Sequence, residues 1–130
     1  MPIHHALPGP PGIIHTVLSG RVNDEELLAY YAQLIPQHVS GPWREIVDGR
    51  QITDMAISQE GLSRLAGLIA GHLRTLRDVK VAMVAASDVT YGMFRMWEIR
   101  REALGYPLQV FRRADEALAW LTADGREETA

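Results

Sequence analysis

The chain has 130 residues, a length that suits one domain with a sizeable buried core. Its hydrophobic fraction of 47% and charged fraction of 22% are those of an ordinary globular protein, so the composition excludes a disordered or fibrous chain. Thirteen basic and sixteen acidic residues give a net charge of −3, whereas binding to nucleic acid needs a basic excess. The absence of cysteine excludes disulfides, thiolate catalysis and cysteine-based metal sites.

The sequence carries no signal of a membrane span or a leader segment. No apolar run approaches the roughly 18 residues that a spanning helix needs. Residues 1–12 lack a basic segment followed by an apolar one. We expect a cytoplasmic protein without integral membrane association and without a nucleic-acid partner. A single domain is predicted over residues 1–122, with a polar, mobile tail over residues 123–130.

The N-terminal segment predicts an antiparallel hairpin at one edge of a sheet. Residues 8–12 (PGPPG) form the clearest chain-breaking cluster, because proline fixes φ and glycine admits left-handed backbone. The β-branched residues 13–19 after this cluster indicate a strand, and residues 3–7 before it can pair with that strand.

The first helix is predicted directly after this strand. Asn23 and Glu26 have the spacing of a capping box, in which each side chain accepts a hydrogen bond from the other residue's backbone amide. Apolar residues then recur at three- and four-residue steps up to Pro36, which gives the helix one core-facing stripe. The stripe consists of Leu27, Leu28, Tyr31, Leu34 and Ile35.

A short strand and a second helix are predicted next. Residues 43–47 favour a strand, and the Asp48-Gly49 pair after them is a turn signal. Ser58 is a candidate N-cap for the helix that follows. The apolar stripe of that helix consists of Leu62, Leu65, Ile69, Leu73 and Leu76.

The C-terminal half continues the alternation of strands and helices. Residues 80–86 (KVAMVAA) are apolar almost throughout, as in a strand that is covered on both faces. A helix from about residue 89 to residue 104, a strand over 108–111 and a last helix over 114–121 follow. The order β-β-α-β-α-β-α-β-α predicts an α/β fold: a mainly parallel five-stranded sheet with an N-terminal antiparallel edge hairpin and four flanking helices.

Several segments resemble the SpoIIAA-like group of STAS-type domains. They are residues 46–48 (IVD) at a strand end, residues 91–97 (YGMFRMW) at a helix start, and residues 110–112 (VFR) leading into 116–121 (EALAWL). The resemblance covers roughly residues 3–121 and implies a SpoIIAA-like fold before it implies a function. The group is compared both with anti-sigma-factor antagonists and with CRAL-TRIO lipid carriers.

The phosphorylation switch of the antagonist branch is not carried over by this resemblance. Antagonists have the motif Asp-Ser-Ser-Gly-Leu before their second long helix, and a kinase phosphorylates one of the serines. Here Gly61 and Leu62 match the end of that motif, but Gln59 and Glu60 stand in the serine positions. We interpret the nearest hydroxyl, Ser58, as a helix N-cap.

The helix over residues 89–104 carries more apolar residues than one buried face needs. With about 100° per residue, the side facing the core is predicted to carry Met93, Met96, Trp97 and Leu104, and Phe94 falls roughly a quarter-turn away from them. Three interpretations remain open: a hydrophobic groove, a self-association surface, and burial beneath the terminal helix. The candidate groove or interface residues are Met93, Phe94, Trp97, Arg100 and Trp120.

A ligand site is predicted at the carboxyl ends of the strands, where open α/β sheets bind small molecules. The candidate residues are Asp48, Arg50, Asp88, Tyr91 and Arg95. Arginine forks hold carboxylate or phosphate groups, so a small anionic or lipid ligand suits this set. The same residues also suit structural roles as a turn acid, a helix cap and a surface ion pair with Glu98.

The motifs favour a binding module over an enzyme. Catalysis would need a base and an orienting group within hydrogen-bond reach, and no histidine lies near the candidate site in sequence. The histidines lack metal-ligand spacing and no nucleotide-binding motif is present, so we expect no metal and no cofactor. We predict a non-enzymatic domain that binds a protein partner or a small anionic ligand, with homodimerisation through the Phe94-bearing helix. The alternative is a lipid or small hydrophobic-metabolite carrier of the CRAL-TRIO type.

Overall fold

Five strands and four α-helices alternate along the chain in the computed structural model, which describes residues 3–5, 12–38, 42–72 and 77–123. The strands are β1 (Ile3–His5), β2 (Ile14–Asn23), β3 (Pro42–Ala56), β4 (Arg77–Val84) and β5 (Leu108–Phe111). The α-helices are α1 (Asp24–Leu34), α2 (Gln59–Ala70), α3 (Asp88–Arg100) and α4 (Ala114–Thr122). Short 3-10 turns follow α1 at Ile35–His38 and α3 at Arg101–Leu104.

Strands β2 to β5 form a parallel sheet in chain order, so the predicted α/β fold with a parallel sheet and four helices is confirmed. The parallel part of the sheet has four strands. β1 is a three-residue strand that pairs with β2 antiparallel, from Ile3 beside Leu18 to His5 beside Thr16. Most of the predicted hairpin turn at residues 8–12 lies outside the described residues.

The helices divide unequally between the two faces of the sheet. Successive crossovers of the same hand place α1, α2 and α3 on one face, and α4 packs on the opposite face after the last strand. Side chains alternate along β4 and supply both layers. Val81 and Met83 belong to the larger core under α1, α2 and α3, whereas Ala82 and Val84 pack against α4.

The predicted helix starts are confirmed in atomic detail. Asn23 Oδ1 accepts a hydrogen bond from the Glu26 amide at 2.9 Å, and Glu26 Oε1 accepts one from the Asn23 amide at 3.3 Å, which completes the capping box of α1. Ser58 Oγ accepts from the Gly61 amide at 3.0 Å at the start of α2. Ser87 caps α3 in the same way. Caps of this kind each stabilise a helix by about 1 kcal/mol.

The third strand is longer than predicted, because the expected turn at Asp48-Gly49 does not form. β3 continues through both residues to Ala56, and β2 pairs alongside it as far as Asn23. Gly49 is instead the place where the ring of Phe94 packs onto the strand, since a Cβ at Gly49 would lie 2.7 Å from Phe94 Cζ. The glycine therefore permits close packing and not a change of direction.

Two helices end earlier than predicted. α2 ends at Ala70, and its predicted continuation to Leu76 reaches beyond the described range, which stops at residue 72. The regular part of α3 ends at Arg100, and Gly105 closes the following 3-10 turn with φ at 83°. The predicted tail lies outside the described residues except for Ala123. No helix in the described ranges has both the length and the apolar character needed to cross a membrane.

Candidate functional site

Asp48 and Arg50 form the first of two polar groups among the predicted ligand residues. Arg50 Nε donates to Asp48 Oδ1 at 2.9 Å and Arg50 Nη2 donates to Asp48 Oδ2 at 2.8 Å, so the pair is bidentate. His15 Nε2 lies 3.9 Å from Asp48 Oδ2. Burial by itself would raise the pKa of Asp48, but the hydrogen bonds and charge of Arg50, with a contribution from His15, hold that pKa below its ordinary value.

Asp88 and Tyr91 form the second polar group, at the start of α3. Both contact Arg112, which follows β5: Arg112 Nη2 lies 2.9 Å from Asp88 Oδ1, and the guanidinium carbon lies 4.1 Å from the centre of the Tyr91 ring. Arg112 is missing from the predicted set. Adjacent β4 and β5 in a parallel sheet would have predicted Arg112 at this site, because the ends of the two strands then lie side by side, as the pairing of Val84 with Phe111 shows.

Arg95 contacts a different residue from either group. Its Nε lies 3.2 Å from Glu98 Oε1, three residues further along α3, which is the surface pair that the sequence also allowed. The predicted ligand residues therefore occupy three separate contacts. Arg50 and Arg95, the two cations of the predicted set, each face a carboxylate of the protein itself.

Phe94 and Trp97 lie inside the molecule and face the sheet. Phe94 is 3% exposed and Trp97 is 5% exposed, and Met93 is half-buried against the same core. A self-association surface built on Phe94 is therefore wrong. The large apolar side chains that α3 exposes are Val89, Met96 and Ile99.

Arg100 and Trp120 lie apart from these three residues. Arg100 Nη1 donates to Ser63 Oγ at 2.7 Å and so joins α3 to α2. Trp120 lies on the α4 face of the sheet, where Lys80 Nζ is 4.1 Å from its ring centre and donates to its backbone carbonyl at 2.8 Å. The predicted grouping of Trp120 with Phe94 is therefore wrong, because the sheet separates them.

A cavity of about 70 Å³ lies between the sheet and the layer formed by α1, α2 and α3. Its wall is mostly aliphatic, with aromatic and methionine side chains and one charged side chain, Glu45. The aliphatic wall residues are Leu18, Leu27, Ile35, Val47, Ile57, Leu62, Leu65, Ile69, Val79 and Val81. The aromatic and methionine wall residues are Tyr31, Trp43, Phe94, Trp97, Tyr106, Met83 and Met93.

Glu45 is 2% exposed and accepts hydrogen bonds at both carboxylate oxygens. Thr16 Oγ1 and Tyr31 Oη each donate to Oε2 at 2.7 Å, and Trp43 Nε1 donates to Oε1 at 3.1 Å. The donors come from β2, α1 and β3, so three elements fix the orientation of one carboxylate. Their hydrogen bonds offset part of the cost of removing the charge from water.

The tyrosine hydroxyls near Glu45 stay protonated. Burial raises the pKa of Tyr31 well above its ordinary value, and the charge of Glu45 raises it further. Burial also raises the pKa of Tyr106, again with a contribution from Glu45. Tyr30, whose Oη lies 2.7 Å from Thr16 Oγ1, has a pKa raised chiefly by burial. At neutral pH these three side chains are therefore uncharged and can donate hydrogen bonds.

Glu45 is the functional candidate that the sequence analysis missed. The signal for it is the alternation of β3, in which Trp43, Glu45 and Val47 point to the same face of the sheet. A glutamate between two apolar residues on the core-facing side of a strand is a buried charge, and buried charges mark sites more often than surface charges do.

The geometry suits hydrogen bonding to a ligand better than metal binding. Among the residues that the structure describes, no three His, Asp or Glu side chains converge in a way that could hold a metal ion. The side chains of His4, His5 and His38 lie outside that set. Two hydroxyls and an indole donate to the Glu45 carboxylate, and these groups are not metal ligands.

The fold matches a solved structure over nearly its whole length. An uncharacterized protein from the DUF3478 family with a SpoIIAA-like fold, from Shewanella loihica PV-4, aligns with 92% of this chain and 93% of its own, at a TM-score of 0.60 and 12% sequence identity. No protein-family model matches the sequence, and no curated protein matches it. The resemblance seen in the residues is confirmed at the level of architecture: the chain has a SpoIIAA-like fold.

Proposed function

We propose that this domain binds a small, largely apolar molecule in the cavity between the sheet and helices α1, α2 and α3. The observation that carries the proposal is the Glu45 carboxylate, which is fixed by three hydrogen-bond donors in an otherwise apolar wall. Ligand pockets combine an apolar wall with a few placed polar groups that orient the ligand. This cavity has both features.

The energetic cost of burying Glu45 supports a role beyond stability. Removing an ionised carboxylate from water costs several kcal/mol even after local relaxation. Hydrogen bonds to charged groups contribute about 1.5–3 kcal/mol each, so the three donors offset a cost of the same order. Apolar residues of similar volume often replace buried charges without loss of stability. Binding and orienting a ligand gives the carboxylate a use that folding alone does not.

The cavity suits a small metabolite better than an acyl chain or an anion. A volume of about 70 Å³ holds only a few heavy atoms. Glu45 would repel the carboxylate head group of a fatty acid. Arg50 and Arg95, the predicted anion-binding residues, are paired with Asp48 and Glu98. These points favour the small-metabolite carrier over the anion-binding module expected from the sequence.

A second candidate function is protein interaction through one side of α3. Val89 and Ile99 are 69% and 65% exposed, and Met96 is 37% exposed. Steps of seven and three residues bring these side chains to the same side of the helix. An exposed apolar stripe of this kind suits a protein partner or a second copy of the chain.

Native mass spectrometry of freshly purified protein, compared with its denatured mass, tests both functions. The carrier function predicts a monomer with added mass that is lost on denaturation. The interaction function predicts a dimer, or a complex with a partner, in which each subunit has its sequence mass.

A weakly held ligand is detected by methyl-¹³C-methionine labelling and NMR titration with a neutral probe, isobutanol. Met83 and Met93 line the cavity, whereas Met96 lies on the exposed side of α3 and serves as an internal control. Binding in the cavity shifts the first two methyl signals and leaves the third in place. The proposed function is wrong if the native protein carries no added mass and neither cavity methionine responds to any small probe.

A further inference from the structure

We propose that α3 forms an antiparallel pair with α3 of a second copy of this chain. This inference rests on the second candidate function, protein interaction through α3, and names the partner. It depends on the spacing of the apolar side chains along the exposed side of the helix and on the order of the charges beside them. The cavity lies behind the opposite, buried side of α3 and has no part in the inference.

The exposed side of α3 has the apolar spacing of a coiled-coil seam. Among the residues that the structure describes, the exposed large apolar side chains are Val89, Met96 and Ile99, and all three lie on this helix. Together with Gly92, which is also exposed, they occupy positions a, d, a and d of a seven-residue repeat. A Cβ at Gly92 would meet nothing within 4 Å, so another helix can approach closely there. The seam therefore has room for a partner helix.

One flank of this seam carries charges of alternating sign. Asp88, Arg95 and Glu102 follow one another at seven-residue steps, in position g of the repeat. The Asp88 and Arg95 side chains are 94% and 53% exposed, and Glu102 is exposed in the 3-10 turn that follows α3. Asp88 and Arg95 each have a partner within the chain, but these are surface pairs that solvent screens. A flank of mixed sign suits a protein partner better than an anionic lipid surface, which attracts a basic excess.

The order of these charges favours a second copy of the chain in antiparallel orientation. In an antiparallel pair related by two-fold symmetry, each flank faces the same flank of the partner. When Met96 packs beside Ile99 of the second copy, Arg95 lies beside Glu102 of that copy, and symmetry repeats both contacts. A parallel pair would instead place Arg95 beside Arg100 of the second copy, where like charges repel.

Disulfide cross-linking can map this pairing, because the chain contains no cysteine. In the proposed pairing Gly92 lies opposite Ala103 of the second copy, and the two Gly92 positions are separated by about 16 Å along the helix axis. A disulfide needs Cα atoms within about 7 Å. Mixed Gly92→Cys and Ala103→Cys proteins should therefore form a linked heterodimer under mild oxidation, whereas Gly92→Cys alone should not.

A control for chance collisions is Gly67→Cys, at an exposed position of α2 with open space around it. Mixed with Ala103→Cys, it should give little linked dimer. Intact mass and non-reducing electrophoresis measure each product. A linked dimer of Gly92→Cys alone would indicate a parallel pair and would overturn the inference.

An exchange of charges tests whether the flank determines the pairing. Sedimentation velocity measures the dissociation constant of the dimer, which we expect to be on the order of 10 µM for so short a seam. Arg95→Glu brings acidic side chains together and should weaken the dimer about tenfold, and adding Glu102→Arg should restore it. Arg64→Glu makes the same change at an exposed position of α2 and should leave the dissociation constant unchanged.

The outcomes separate this inference from the function on which it rests. A protein that stays monomeric up to about 1 mM, or a double variant that does not recover, overturns the inference. A photo-crosslinking amino acid in place of Ile99 then tests the interaction function alone. Cross-links to one different protein, not formed from position 67, would keep that function, and the lack of any cross-link would reject it as well.

Discussion

The hydroxyl of Tyr31 donates a 2.7 Å hydrogen bond to Oε2 of Glu45 and so ties α1 to β3 inside the core. Tyr31 is 7% exposed and Glu45 is 2% exposed, so solvent has little access to either group. The bond therefore contributes to the stability of the fold and to the orientation of the carboxylate that faces the cavity.

Removing this hydroxyl should destabilise the protein. Tyr31→Phe removes a hydroxyl that donates to Oε2 of a buried carboxylate, and we expect the free energy of unfolding to fall by about 1–3 kcal/mol. Tyr30→Phe is the matched control: Tyr30 bonds to Thr16, which still donates to Glu45, so the loss should be about 1 kcal/mol or less. Urea unfolding measures both values. Equal losses would contradict the account of the Glu45 hydrogen bonds.

Gly49 should not tolerate a methyl group. In Gly49→Ala the new Cβ would lie 2.7 Å from Phe94 Cζ and 3.2 Å from the Val84 carbonyl oxygen, and the resulting overpacking should cost about 1–3 kcal/mol in thermal or urea unfolding. Gly67→Ala, in α2 with open space around the position, should instead stabilise by about 0.5–1 kcal/mol. A neutral Gly49→Ala would mean that Phe94 does not pack on the strand as described.

Much of the fold follows from short-range patterns, whereas Gly49 shows their limit. The capping pairs at Asn23 and Ser58 are local chemistry, so the sequence predicts those helix starts correctly. Asp48-Gly49 carries an equally clear local turn signal. It is overridden because Gly49 continues β3 alongside β2 and lies beneath Phe94, which is 45 residues away in sequence. Contacts at that separation cannot be read from a local motif.

The candidate site was also only partly predictable from the sequence. The inward position of Glu45 follows from the alternation of β3, so the sequence contains that signal. Its donors Thr16 and Tyr31 are 29 and 14 residues distant, and only the tertiary structure brings them together. On α3, the buried residues Thr90, Phe94 and Trp97 have ordinary helical spacing. The prediction that Met96 faces the core is wrong, and it placed the buried face on the wrong side of the helix.

The Asp48–Arg50 pair should make the folded protein less stable as the pH falls. The pKa of Asp48 is lower in the folded state than its ordinary value, so its stabilising effect is present above the unfolded-state pKa of about 3.9 and is lost as pH falls through the folded-state value. Asp48→Asn should therefore lower the free energy of unfolding by about 1–2 kcal/mol at neutral pH. The difference between variant and parent should shrink toward zero near pH 2.

Asp54→Asn provides the control for this pH effect. Asp54 pairs with Arg21 on the exposed part of β3, where solvent screens the interaction, and the substitution should change stability by less than about 0.5 kcal/mol at any pH. Urea unfolding over the pH range measures both variants. A loss in Asp48→Asn that does not change with pH would contradict the assignment of the pair.

Association through α3, if it occurs, should depend on its exposed stripe and not on Phe94. Ile99→Glu should dissociate a dimer while changing the stability of the monomer by about 0.5 kcal/mol or less, because Ile99 is 65% exposed. Phe94→Glu should instead unfold the protein, because it places a charge in the core. Light scattering and circular dichroism distinguish the two effects. A folded Phe94→Glu variant would contradict the burial of this side chain.

Electron density in the cavity is the most direct test of the central claim. Crystals of the unmodified protein, soaked with isobutanol, should show density for this probe between the sheet and helices α1, α2 and α3. The polar head of the probe should lie about 2.7–3.2 Å from a carboxylate oxygen of Glu45. A cavity without density for the probe, or a probe bound only on the surface, would contradict the account.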